Sequence, residues 1–181
     1  MPIASTDIKY KLSIKTGTAG NQNAQGNPNN ALGKYISTTE VSGTSLNNIF
    51  DNISGAENAA STVDYRAIFI HNAHATLTLQ APVVWLLSEV SGGANIAIAI
   101  DNLAASAIGS SSAQAAEIAN ETTAPSGVGS FSSPTTKGAG LALSDIPAGQ
   151  CRAVWMRRTA TNSAALSADG VTLRVEGDTA A

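Results

Sequence analysis

Apolar residues Ile8, Tyr10, Leu12 and Ile14 alternate with Asp7, Lys9, Lys11, Ser13 and Lys15. Successive side chains of an extended chain point to opposite sides, so this period predicts a strand with one wet face. The β pattern resumes at residue 63. "VDYRAIFIH" and "ATLTLQA" flank "NAH", "PVVWLLSEV" starts at a proline, and Gly92-Gly93 leads into "ANIAIAID", with Ile96, Ile98 and Ile100 on one face. Further on, Pro147 and Gly149 predict a turn. The strand after it carries Ala153, Trp155 and Arg157 on one side and Val154 and Met156 on the other. "GVTLRVEGD" predicts a last strand, with Val171, Leu173 and Val175 inward and Thr172, Arg174 and Glu176 outward. Short strands separated by turn signals at about ten-residue spacing predict a mainly β, antiparallel β-sandwich, jelly-roll-like or Ig-like, rather than βαβ units. Within "VVWLL" both the Val83, Trp85, Leu87 face and the Val84, Leu86 face are apolar. That strand should be covered on both sides, by its own body or by a partner.

Leu46, Ile49, Phe50 and Ile53 fall at i, i+3, i+4 and i+7, with Thr44 or Ser45 as N-cap and Gly55 as stop. This predicts one short amphipathic helix; the alternative is an irregular loop that tucks the same residues inward. Two stretches lack such anchors. Residues 16–33 are almost devoid of apolar side chains, and residues 102–140 are mostly Ala, Ser, Gly and Thr. The expected organisation is an extended N-terminal arm, 1–33, and a β-sandwich domain, 34–181, with a long Ala/Ser/Gly-rich insertion at 102–140. Segments with so little core of their own are expected to be pinned by neighbouring chains or by the fold itself, and to clamp adjacent subunits if they order on assembly.

The 181-residue chain is 13% charged and 4% aromatic, with a formal charge of −3. Small uncharged polar groups must therefore cover the surface. The broad basic field of a nucleic-acid binder is missing, and no direct nucleic-acid contact is expected. No run of 18 apolar residues points to a membrane, and the N-terminus does not read as a signal peptide, so the sequons at Asn52 and Asn120 are taken as chance matches.

His71 and His74 are the candidate metal ligands. Three residues apart on a strand they point to opposite faces, and no third or fourth ligand stands at a diagnostic spacing. Hydrogen-bonded loop histidines are the expected reading. Cys151, just before an apolar strand, reads as a small buried side chain rather than a thiolate nucleophile. No G-x-S-x-G elbow, facing carboxylate pair or phosphate-binding loop occurs, so neither enzymatic activity nor a cofactor is expected. Arginines stand out on a poorly charged surface. Arg157 and Arg158 take opposite faces of one strand, with Arg66, Arg152 and Arg174 on others. They are either solvated outer-face groups or ion-pair contacts to a protein partner.

The stretches "LGKYIST", "NNIFDNISGAENA", "DYRAIFIHNAHATLTL", "NETTAPSGV", "LSDIPAGQCRAVWMRRT" and "DGVTLRVEGDT" together resemble uncharacterised virion structural proteins encoded among the head and tail genes of tailed bacteriophages. The resemblance runs from about residue 30 to the C-terminus and contains no catalytic signature. It implies a capsid decoration or cement protein on the virion exterior, made in the host cytoplasm. The implied partners are the major capsid protein and copies of the chain itself, a trimer being one arrangement. A neck, tail or baseplate component, or a host-surface binding module, is the alternative. On that reading Tyr10, Leu12 and Ile14 would add the arm strand to a neighbour's sheet, Arg157 and Arg158 would contact the partner, and deleting residues 1–33 would weaken attachment but leave the sandwich folded.

Overall fold

The period-two segments become strands. The computed structural model describes residues 2–17 and 23–179. Its strands are β1 (Ile8–Ile14), β2 (Tyr35–Glu40), β3 (Val63–Asn72), β4 (Leu79–Glu89), β5 (Asn95–Ile100), β6 (Ser106–Ala107), β7 (Leu141–Ala142), β8 (Gln150–Thr159) and β9 (Val171–Thr179). All pairings are antiparallel. A six-stranded sheet has the order β2-β1-β3-β8-β5, with β6 continuing the β5 edge of β8; a three-stranded sheet has the order β7-β4-β9.

One face of the large sheet presents Leu12, Ile68, Ile70, Ile96, Ile98, Val154 and Met156, which join Leu79, Val84 and Leu86 of β4 in one buried cluster. Each fully buried aliphatic side chain here contributes roughly 1.5–3 kcal/mol. Val171, Leu173 and Val175 of β9 pack against the same cluster, on the face their alternation predicted.

The opposite face of the large sheet also carries apolar groups: Ala67, Ala99 and Trp155 pack with Ile118, Val128 and Phe131, while Phe69, Ala153 and Cys151 pack with Ala115 and Ile108. Residues 102–140 supply this cover. The expectation that the insertion orders on assembly by clamping adjacent subunits is corrected here, since it packs as the third layer of its own body. Few apolar anchors suffice because a buried carboxylate organises it. Asp101 is fully buried and accepts hydrogen bonds from the Ala116 N–H (2.7 Å), the Trp155 indole N–H (2.9 Å) and the Leu103 N–H (2.9 Å). Main-chain bridges join Asp101 to Val128, Ile98 to Ser132 and Gly33 to Glu117.

The extended arm is likewise corrected. β1 lies between β2 and β3, with Ile8 opposite Asn72 and Leu12 opposite Ile68. Ser13 Oγ accepts from the Gly33 N–H (2.9 Å), the Gln25 amide donates to the carbonyls of Ser13 and Asn30, and the Ala67 N–H donates to the Ala31 carbonyl (2.8 Å). Polar side chains thus hold residues 23–33 against the sheet, with buried Ala31 and Leu32 as the apolar anchors. Of the polar stretch 16–33, residues 18–22 lie outside the described part.

The predicted helix moves along the chain. Residues 46–53 form an irregular loop, the alternative reading, in which Asn47 takes a positive φ of 54° and Ile49 and Phe50 tuck against the core. The helix is α1, Gly55–Ala60, and Gly55 begins it rather than ending an earlier one. The reason is a capping box: Ser54 Oγ accepts from the Glu57 N–H (3.2 Å), and the Glu57 carboxylate accepts from the Ser54 N–H (2.7 Å). Of "ATLTLQA" only residues 79–81 are extended, and they run on into "PVVWLLSEV" as one strand, while residues 75–78 belong to the preceding loop. A bulge at Ala81, φ 43°, carries β4 through Pro82, whose missing N–H is harmless there.

Candidate binding cleft

The three-stranded sheet is narrower than the six-stranded sheet beneath it, so part of the inner face needs another cover. Two long loops provide it: residues 41–54, after β2, and residues 161–170, between β8 and β9. The space left between floor and loops is a cleft of about 920 Å³. Ile68, Ile96 and Met156 form its floor, Tyr10 and Leu173 close the side towards β9, and Leu46, Phe50 and Leu166 lie on the covering loops. Leu46 is 72% exposed and Leu166 44% exposed, an unusual placement for large apolar side chains on facing loops.

One end of the cleft is charged but internally matched. Arg158, at its wall, donates to the Asp64 carboxylate at 2.7 Å and to Asp51 at 3.1 Å, and lies 4.8 Å over the Phe50 ring. Arg66, fully buried, pairs with Glu121 and sits 5.4 Å over the same ring. The Phe50 ring thereby packs on two guanidinium groups, which fastens the first loop. The second loop is fastened by the Asn58 amide to the Ser163 carbonyl (2.7 Å) and by the Ala94 N–H to the Asp169 carboxylate (2.7 Å). A container with an apolar floor, an apolar rim and a neutralised charged end suits an apolar ligand or a partner's apolar side chains.

The structure places the sequence candidates as follows. Leu12 and Ile14 are buried, so they are not presented to a partner, because β1 is an interior strand. Tyr10 reaches the cleft wall, where burial raises its phenol pKa against the lowering effects of the Val175 backbone and Arg174. Arg158 is committed to Asp64 and Asp51, which corrects its assignment as a partner contact; a guanidinium holding two carboxylates on a buried face is part of the fold. Arg157, half-buried on the other face, lies 5.3 Å over the Phe131 ring and helps hold the insertion.

His71 and His74 are not brought together. His71 ends β3 opposite Cys151, whereas His74 sits in the following loop, its Nδ1 accepting from the N–H groups of Thr76 (3.1 Å) and Leu77 (3.0 Å). Burial, reinforced by Lys11, lowers His71 to about 4, with Glu40 opposing. Burial pushes the Cys151 thiol up to about 12. Among the described residues no group of three His, Cys, Asp or Glu side chains could hold a metal ion. No described helix is long and apolar enough to cross a membrane.

Sequence reasoning passed over Leu166, a single leucine in the polar stretch "TATNSAALSADG". Its isolation among small polar residues was the available signal. The second face of "VVWLL" is partly closed from within: Trp85 is buried with the Arg174 guanidinium 5.8 Å from its ring, while Leu87 stays exposed.

Compared with protein families, curated proteins and solved structures, the chain matches none.

Proposed function

We propose that the protein is a structural component of a phage virion, a decoration or cement protein that attaches to the major capsid protein and bridges its subunits. The stacked sheets are read as a β-sandwich, jelly-roll-like or Ig-like, with the insertion as an added layer. The observation that carries the proposal is how the chemistry is distributed. The thiol of Cys151, the imidazole of His71 and the guanidinium groups of Arg66 and Arg158 are all buried in the fold. What faces outward is a weakly charged shell of small polar side chains, with exposed Leu46 and Leu166 at one cleft. Such a surface suits close contact with another protein more than turnover of a substrate. The cleft, rather than Arg157, Arg158 or an N-terminal arm, is the part of this chain offered to the shell.

The test is co-sedimentation of purified protein with empty shells of the candidate major capsid protein, followed by reconstruction of the decorated particles. Many copies spread over the shell, lost on changing Leu46 and Leu166 together to Ser, is the expected result. Attachment confined to the neck, tail or baseplate supports the second reading. No attachment to any part of the particle defeats both.

A further inference from the structure

The three-stranded sheet ends in β9, whose main-chain groups alternate between β4 and the outer edge. The Pro82 carbonyl accepts from the Leu143 N–H and the Leu86 N–H donates to the Pro134 carbonyl, both at 2.8 Å, so even-numbered β4 residues from 82 to 86 face away from β9. Val83 and Trp85 therefore face β9, opposite Glu176 and Arg174. By the alternation of an antiparallel ladder, Leu173, Val175 and Gly177 turn their N–H and C=O groups outward. Consistently, it is the Val175 backbone that meets the Tyr10 phenol. Among the described residues no strand pairs with this edge.

From this edge the geometry points to a two-fold dimer of the chain, formed by antiparallel pairing of β9 with β9 of a second copy about an axis through Val175. Three features single out that register. Val175 opposite itself, with Leu173 opposite the partner's Gly177 and Val171 opposite the partner's Thr179, uses every outward-facing residue of the nine-residue strand as a hydrogen-bonded pair. The intervening positions then set Arg174 directly opposite the partner's Glu176, twice by symmetry, on the solvent face. Leu173 meets a glycine, which leaves room for its side chain.

Neighbouring registers lose these matches. Centring on Leu173 puts Arg174 against Thr172, and centring on Gly177 puts Glu176 against Asp178, two like charges. Within one chain Arg174 and Glu176 already pair at 2.6 Å, with Lys137 3.3 Å from the same Glu176 carboxylate and the Trp85 ring beneath Arg174, so both charged groups stand on the required face. Tyr10 is the placeholder at the edge, its phenol occupying the position that the partner's main chain would take.

The dimer is independent of the attachment proposed above, since free protein can dimerise whether or not it binds a shell. The experiment is sedimentation equilibrium of the full chain over a wide concentration range, with circular dichroism and thermal melting to verify folding. Wild type is expected to dimerise. Val175→Pro, which removes an N–H that β4 does not use, should keep the two sheets paired, at the cost of the Tyr10 phenol's contact with the Val175 backbone, and weaken the dimer at least about tenfold. Arg174→Glu should do the same by setting Glu against Glu. Adding Glu176→Arg to it should restore the dimer, because the swapped charges match again. A wild type that stays monomeric, a closed trimer, or a dimer indifferent to Arg174→Glu would overturn the inference. If Val175→Pro fails to fold, the charge swap decides alone.

Discussion

His71 and Cys151 face each other across β3 and β8 on the layer covered by the insertion. Two residues with the means for chemistry are there made inert by burial, and the imidazole carries a measurable consequence. Its ordinary value is 6.5 and its folded value about 4. Between these values the unfolded chain binds more protons than the folded one, so stability falls as the pH falls. His71's contribution is complete above pH 6.5 and lost by about pH 4, on the order of 3 kcal/mol in all. Denaturant unfolding at about pH 7, 6 and 5 should show this decline, and His71→Gln, uncharged throughout, should flatten it. An unchanged slope in the variant would mean the imidazole is solvated. Arg158, also buried, is placed by its partners, for Asp64 and Asp51 meet its guanidinium there.

At the scale of elements, the third layer depends on backbone proximity more than on apolar bulk. Gly33 has φ +89°, and a Cβ built on it would stand 1.8 Å from the Ala116 carbonyl oxygen. Here the chain leading into β2 crosses directly beneath the insertion, and the Lys34 N–H donates to that same carbonyl at 3.1 Å. Gly33→Ala should therefore cost at least about 2 kcal/mol, from the left-handed backbone and the displaced carbonyl together. It should also expose Trp155, so its fluorescence maximum should shift to the red at temperatures where the sheets persist. A variant as stable as wild type would show that this crossing is loose. The capping box at Ser54 and Glu57 shows what decides an element boundary: a reciprocal pair of hydrogen bonds outranks the apolar spacing of the preceding residues.

For the whole molecule, the position of β1 changes what a truncation does. As an arm, residues 1–33, which include β1, would be dispensable for folding. As the strand between β2 and β3, contributing Leu12 to the main cluster, they are not. Deleting them should leave the chain unfolded or aggregated, seen as loss of a cooperative melting transition; a truncated chain that still melts cooperatively would return β1 to the role of an arm. Much of this architecture is written in local pattern. The alternation of Ile96, Ile98 and Ile100, of Val154 and Met156, and of Val171, Leu173 and Val175 determined which residues are strands and which side of each faces the core, because side-chain direction in an extended chain follows from residue parity alone. Parity does not say which strand lies beside which, nor what covers a face. Only the tertiary structure decided that β1 enters its own sheet, that a segment without bulky anchors lies over Trp155 through Asp101, and that Arg158 turns inward to Asp64, since each depends on partners 50 or more residues away in sequence. The cleft belongs to that second group: Tyr10, Phe50, Met156 and Leu166 share no local pattern, and what unites them is a small sheet that does not reach across a larger one.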